Sequence, residues 1–304
     1  MKRIIVLGGT GFFGGLIVER LRQAGLEPIA ASRSHSDMKI DANNPEDLRA
    51  NLKPKNLVID AAGPFQTRTP ALIDAATRIG FDIIDLSDSP DYTRMIYERQ
   101  APIGASGIRV LPACSTLSTL SAIAVQMSTV EKPFRLKVYL KPQSKLTANR
   151  GAVASFLQSI EGAERGGLKV RSVDAVTLPR VFPSLKHIDF IVDSGHTTGN
   201  FLLQFAWVRR QMEKHQERAM KIAKRIGGKR GKVRIEISST LRHRTQTFIG
   251  EHSYMLAVLP AILAAQAISA GQFPHRGIVA PTQHVDAMKL YEAIRAEGIE
   301  ISGS

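Results

Sequence analysis

The chain has 304 residues, 43% hydrophobic and 22% charged, a balance that excludes disordered, collagen-like and coiled-coil chains and gives room for two domains, each with its own core. Its single cysteine, Cys114, excludes a disulfide-stapled secreted scaffold and favours a reducing compartment. The net charge is +14, with the excess beyond residue 133: residues 205–250 alone carry 13 Lys and Arg against three Asp and Glu, enough to attract polyanions, acidic substrates or a membrane surface.

From Met1-Lys2-Arg3 the chain enters a short apolar run followed by glycines, with no signal-peptide pattern, which predicts a cytoplasmic protein. The first half alternates β-branched runs with amphipathic ones, the pattern of a parallel sheet with helical crossovers. Strands are predicted at Arg3–Leu7, Pro28–Ser32, Leu57–Ala61, Ile83–Asp85 and Arg109–Leu111. Helices are predicted at Phe12–Ala24, Pro45–Asn51, Pro70–Ile79 and Asp91–Ala105, with Pro45 and Pro70 in first turns. Gly25, Gly80 and Gly107 fall where helices should stop.

Near Ser115 the character changes. A helical run Leu117–Val130 leads to an alternating strand, Arg135–Leu140, then a helix at Ala152–Glu161, strands near Lys169–Leu178, a basic helix Gln204–Arg225 and a strand pair Lys232–Ser238 and Thr240–Ile249. The apolar segment Tyr254–Ala270 contains Pro260 and Gln266 and is short of the roughly 20 residues that span a bilayer, so it reads as a buried helix without membrane insertion. A helix near Val285–Ala296 and a strand Ile299–Ile301 close the chain. The expected fold is α/β: a doubly wound parallel sheet over residues 1–125, completed by 275–304, with an inserted α+β substrate or dimerisation domain at 126–274, compatible with a homodimer.

Gly8-Gly9-Thr10-Gly11-Phe12-Phe13-Gly14 follows the first strand and opens a helix, and Gly9, Gly11 and Gly14 fit G-x-G-x-x-G. Such glycines allow a tight turn and close approach of a pyrophosphate to the positive helix start. At the end of the second strand, where a carboxylate would hold an unmodified ribose, the sequence reads Ser32-Arg33-Ser34. Arg33 suits a 2′-phosphate instead, flanked by two hydroxyls, and predicts NADP(H) over NAD(H). Asp41 lies where it can reach the adenine amine, and Ala62-Gly63-Pro64 ends the fourth strand where the nicotinamide half would pass.

Other chemistries are missing their residues. None of Tyr92, Tyr97, Tyr139, Tyr254 or Tyr291 has a lysine four positions on, so the tyrosine-lysine dyad of short-chain dehydrogenases is not present. There is no H-E-x-x-H or paired-cysteine metal spacing and no triphosphate-binding G-x-x-x-x-G-K-[ST] loop. The basic run Lys214–Arg234 has no interleaved aromatic residue, which argues against nucleic acid.

Three pieces together resemble the saccharopine dehydrogenase-like oxidoreductases: the N-terminal Gly8–Gly14, the apolar run Val58-Ile59-Asp60-Ala61-Ala62-Gly63-Pro64-Phe65, and Ile84-Asp85-Leu86-Ser87. The likeness covers about the first 115 residues, and the rest by layout, including the return at Gly277-Ile278-Val279-Ala280-Pro281. It implies NAD(P)-dependent chemistry at a carbon bearing nitrogen, with the nicotinamide bordered by Asp85, Leu86, Ser87 and Cys114. The family's Cys/Gly-Gly-x-Asp-Pro-Gly segment is replaced here by Cys114-Ser115-Thr116-Leu117-Ser118, which points to a substrate other than saccharopine. Asp85 and Cys114 are then the expected proton-handling groups, and Arg150 and His196 would suit a small carboxylate-bearing substrate. A non-catalytic NADP-binding sensor with a basic partner-contacting domain is the alternative expectation.

Overall fold

The computed structural model describes residues 2–34, 37–193, 197–226 and 228–303. Two compact units divide the chain: Met1–Thr119 with Ala257–Asp286, and Leu120–Leu256 with Ala287–Ser304.

In the first unit, with strands numbered along the chain, β1 (Ile4–Leu7), β2 (Pro28–Ser32), β3 (Met38–Lys39), β4 (Leu57–Asp60), β5 (Asp82–Asp85), β6 (Arg109–Leu111) and β13 (Gly277–Ile278) form one sheet. Their spatial order is β13-β6-β5-β4-β1-β2-β3, and every pairing is parallel. This is the doubly wound Rossmann order 3-2-1-4-5-6 with one strand added beside β6. The order reverses between β1 and β4, so the connections that leave these two strands diverge and open a crevice at their C-terminal ends. β1, β4 and β5 are buried along their whole length, as strands covered on both faces must be. The core includes Ile5, Leu7, Val58, Leu72, Ile83, Tyr92, Ile96 and Val110.

At the opposite, N-terminal ends of the strands, Asp82 is a structural clamp. It pairs with Lys2 and with Arg109 (3.1 Å), and Arg109 also donates to the Phe273 carbonyl at 3.1 Å. The predicted helix Asp91–Ala105 is two helices, Pro90–Glu98 and Gln100–Ser106. Pro102 is the reason: it has no N–H to give the Glu98 carbonyl and its ring crowds that group.

The second unit contains a mixed seven-stranded sheet of β7 (Arg135–Lys141), β8 (Ile160–Glu164), β9 (Gly167–Val170), β10 (His187–Val192), β11 (Gly231–Ser238), β12 (His243–Gly250) and β14 (Glu300–Gly303), in the order β14-β12-β11-β7-β10-β9-β8. Among the described residues of this sheet, β7 and β10 alone pair in parallel. Along β11 buried and partly exposed residues alternate, with Val233, Ile235 and Ile237 facing the core. Gln143 is a buried hub: its amide nitrogen donates to the Lys229 and Glu251 carbonyls, and its oxygen accepts from Ser253 Oγ (2.8 Å) and the Tyr254 N–H (3.2 Å).

Four expectations need correction here. Residues 257–274, expected in the inserted domain, belong to the first unit. The last 18 residues do not complete the first sheet; β14 pairs antiparallel with β12. The Ala287–Ala296 helix belongs with it, because Tyr291 packs edge-on against Phe248 at 5.9 Å and hydrogen-bonds Gln246. The predicted strand near Lys169–Leu178 ends at Val170, where Ser172 Oγ accepts the Asp174 N–H and starts a helical turn. The long basic helix is two, Ala206–Lys214 and Gln216–Ile226, with a break at His215 that no glycine or proline announces.

Candidate functional site

β1 delivers the chain into a turn that accepts few residues other than glycine. Gly8 has φ +73°, and a Cβ there would lie 2.8 Å from the Ala61 carbonyl oxygen and from Ala62 Cα. A Cβ at Gly9 would lie 2.8 Å from Ala30 Cα, and one at Gly14 only 2.1 Å from the Gly8 carbonyl oxygen. The turn is thus pressed against both β2 and the exit of β4. It is held by Gly9 N–H donating to Val6 and Ala31 and by Gly11 N–H donating to Gly8.

Helix Phe12–Gln23 starts immediately, with Gly11 extended before it, no side-chain cap and no acidic residue in its first turn. Thr10 and Gly11 are exposed at its mouth, while Phe12 and Phe13 are half-buried and meet edge-on at 5.1 Å. An uncapped helix start behind a glycine turn supplies N–H donors and positive dipole to an anion. The residues present therefore fit a dinucleotide pyrophosphate. The first unit has the dinucleotide-binding Rossmann fold.

The other sequence-selected residues of this unit line the same row of strand ends. Ser32 ends β2, its hydroxyl bonded to the Ser34 carbonyl, and Arg33 is exposed beside it. Asp41 follows Ile40, whose N–H donates to Ser32; one carboxylate oxygen accepts the Asn43 N–H at 2.9 Å. Asn43 in turn accepts from the N–H and hydroxyl of Thr69 (3.1 and 3.2 Å), linking the loop after β3 to the loop after β4.

Beneath the exit of β4 lies an arrangement that the sequence did not disclose. Asp60 is fully buried, and Arg68, eight residues on, places one guanidinium nitrogen against both of its oxygens. Asp60 also accepts the Ala62 N–H at 3.1 Å. Burial pushes its carboxyl up, and Arg68 pulls it back. Arg68 stacks over the Phe65 ring at 5.4 Å, so the Ala61–Pro64 segment, with its cis Gly63–Pro64 bond, is pinned from below. Ala62 and Pro64 are half-buried and Gly63 exposed.

Asp85, opposite Asp60 across the β4–β5 pairing, is covered as well. Its Oδ1 accepts the Ser87 N–H (2.8 Å) and the Ala113 N–H (3.0 Å), while Oδ2 has no hydrogen-bond partner among the described residues. Burial, with a smaller contribution from the Asp60 charge, raises its carboxyl to about 7. Leu86 retains some exposed surface, whereas Ser87 and Cys114 are buried. Asp85 is thus buried in this structure, where it ties together the turns after β5 and β6.

Cys114 is covered too. Burial pushes its thiol well above the ordinary range, and its contribution is the backbone N–H that donates to the Asp85 carbonyl at 2.7 Å. Close by, Thr119 Oγ lies 2.7 Å from His284 Nδ1 and His284 Nε2 lies 3.1 Å from the Val279 carbonyl. The carbonyl needs a donor, so Nε2 carries the proton and Nδ1 accepts from Thr119. Burial lowers His284 to about 3, so the ring is neutral.

Of the two expected substrate groups, Arg150 lies in the second unit with an exposed side chain paired to Glu217, and its charge is already answered. His196 lies outside the described residues. Among the described residues no group of three His, Cys, Asp or Glu is placed to hold a metal ion, and no helix is long and apolar enough to cross a membrane.

The carboxylate pattern carries a measurable consequence. Between about pH 4 and pH 7 the folded protein holds a proton on Asp85 that the unfolded chain releases, so stability should fall as pH rises through that window. The full swing for this one group is at most about 4 kcal/mol. Asp85→Asn keeps the Oδ1 acceptor and should flatten the dependence of Tm on pH, a change that thermal melts across the window would register; an unchanged slope would remove Asp85 as its source.

No family model matches the chain. A Mycobacterium tuberculosis protein provisionally named as a trans-acting enoyl reductase is 27% identical over 144 residues, covering 40% of this chain. The match spans 34%, about a third, of that curated relative's length. Among solved structures, a Thermotoga maritima protein described as a probable dehydrogenase aligns over 99% of this chain and 98% of its own at 11% identity, with a TM-score of 0.44. The UDP-glucose 4-epimerase of Thermus thermophilus, solved with NAD, aligns over 62% of this chain and 77% of its own at 15% identity, with a TM-score of 0.31. None of these three is named for saccharopine.

Proposed function

We propose that the protein is an NADP(H)-dependent oxidoreductase acting on a small, carboxylate-bearing substrate at a carbon bound to nitrogen. The observation that carries this reading is the Gly8–Gly14 turn, pressed into the divergence of β1 and β4 and opening directly into an uncapped helix. In this reading the helix start holds the pyrophosphate, Arg33 with Ser32 and Ser34 pairs the 2′-phosphate, and Asp41 takes the adenine amine with the acceptor capacity left beyond its bond to Asn43. Ala62, Gly63, Pro64 and Leu86 border the nicotinamide, while the Asp60–Arg68 pair and Asp85 hold those borders from below. The cofactor, when bound, supplies or accepts the hydride.

A second reading of the acceptor comes from the 144-residue likeness to the protein named as an enoyl reductase: a carbon–carbon double bond in place of carbon–nitrogen. In both cases hydride adds to the electron-poor carbon and a proton to its neighbour.

Calorimetric titration with NADPH and NADH, on wild type and Arg33→Ala, tests the shared base. Wild type should prefer NADPH, and the variant should lose about tenfold or more of its NADPH affinity, worth about 1.4 kcal/mol, with NADH binding little changed. Binding of neither nucleotide would refute the proposal. Loss of NADPH absorbance with keto acids plus amines, or with enoyl thioesters, separates the two acceptors; tight NADPH binding without turnover on any of them would favour the sensor.

A further inference from the structure

The three consecutive helices Thr197–Leu203, Ala206–Lys214 and Gln216–Ile226 of the second unit each pack on the next, the first also on β8 and β9 and the other two on helix Arg150–Ser159. Leu203 and Met212 turn inward onto the cluster of Leu157, Ile160 and Leu168, and Ala219 is buried. Yet Phe201, Leu202, Phe205, Trp207 and Ile222 point outward, Trp207 with 67% and Phe201 with 57% of its surface exposed. Phe201 and Phe205 meet edge-on at 5.4 Å, forming one outward aromatic ridge. A buried-face pattern accounts for the first set and leaves the second unexplained.

Charge accompanies Trp207 and Ile222 on their helices. Residues 201–226 contain seven Lys and Arg against two Glu; the exposed Glu217 is taken by Arg150, and Arg209 caps the Leu203 and Gln204 carbonyls. Arg210, Lys214, Arg218, Lys221, Lys224 and Arg225 remain as exposed cations. Helical spacing puts Trp207, Arg210 and Lys214 on one face, and Arg218, Lys221, Ile222 and Arg225 on another. An occupant must therefore accept apolar side chains and answer cations at the same place.

We propose that this surface docks on an anionic phospholipid membrane, lying in the interface with Phe201, Leu202, Phe205 and Trp207 at the acyl boundary and the Lys and Arg groups among the headgroup phosphates. Two other occupants fit less well. A second copy would set this stripe of cations against itself, and nucleic acid gives Leu202 and Ile222 nothing to bury against, since stacking uses aromatic and guanidinium planes. The inference is independent of the nucleotide site.

Trp207 is the only tryptophan in the chain, so its fluorescence reports this surface in the unmodified protein. With vesicles of phosphatidylcholine plus phosphatidylglycerol, its emission should shift to the blue and be quenched by bromine-labelled acyl chains, and added salt should weaken the binding. Phosphatidylcholine alone should have little effect. The exposed pair Phe201→Ser/Phe205→Ser, and separately Lys221→Glu/Lys224→Glu, should each cut partitioning by about tenfold or more, the former by removing two large apolar groups, with circular dichroism unchanged. No shift with the anionic vesicles, or a shift without quenching from the acyl chains, would overturn the proposal. So would a vesicle-independent shift that tracks protein concentration and dimer formation, or a response to an oligonucleotide in place of vesicles.

Discussion

Replacing Gly14 by alanine should abolish NADPH binding and lower Tm, whereas Gly15→Ala, one residue further along the same helix, should do neither. At Gly14 a new Cβ falls 2.1 Å from the Gly8 carbonyl oxygen, a backbone atom with no rotamer in which to retreat. The turn must open, and forced overpacking of this kind costs about 1–3 kcal/mol. Opening it also moves the Gly8 carbonyl and the helix start apart, and that spacing is what would grip a pyrophosphate. At Gly15 the nearest atom to a Cβ is the Gly9 carbonyl oxygen at 3.7 Å, an ordinary contact. There alanine should gain the helix about 0.5–1 kcal/mol over glycine. Thermal melts and nucleotide titrations on the two variants side by side give the comparison; equal behaviour of both would show that the turn is not the determinant.

The Asp60–Arg68 pair should give the largest stability effect of any single side chain near the crevice. Arg68→Met leaves a fully buried carboxylate without its counter-charge, and breaking a buried pair from one side costs about 3–5 kcal/mol. The defect has a pH signature. Burial already pushes the Asp60 carboxyl up against the pull of Arg68, and without Arg68 it rises further, so the variant should regain stability as pH falls and Asp60 takes a proton. Removing both charges, with Asp60→Asn and Arg68→Met, should be milder than Arg68→Met alone. Denaturant unfolding of the singles and the double at two pH values would measure the coupling directly; strictly additive losses would mean the two side chains do not act as a pair.

The features legible in the sequence are those that local chemistry dictates. β2, β6 and helix Pro45–Asn51 fall on their predicted bounds, because β-branched runs, Asn44 capping the Glu46 N–H and Pro45 in the first turn are all near-neighbour effects. The glycine turn was legible for the same reason. Arg68 was not: its partner sits in another element, and nothing in Asp60-Ala61-Ala62-Gly63-Pro64 announces that an arginine eight residues on folds back beneath it. Asn43 and Thr69 escaped likewise, joined across 26 positions. Ile299–Ile301 reads as a strand, but which sheet it joins is decided by Tyr291 and Phe248, and composition does not encode that pairing. Asp85 lies on the expected strand end and Cys114 in the turn after β6, yet their side chains are covered, and burial depends on the whole fold.

Helix Leu259–Ser269 packs against helix Phe12–Gln23, β4 and β5, with Leu259, Ile262 and Ile268 among its buried residues. It and β13 belong to the unit that begins at Met1, but they follow the 137 residues of Leu120–Leu256. During synthesis at about 5–20 residues per second, the first six strands therefore wait roughly 8–33 s before their last strand and this covering helix emerge. For that interval the apolar surface beside β4 and β5 has no lid, and its closure requires a contact between segments more than a hundred residues apart. Late consolidation of the nucleotide-binding fold is built into the chain's route.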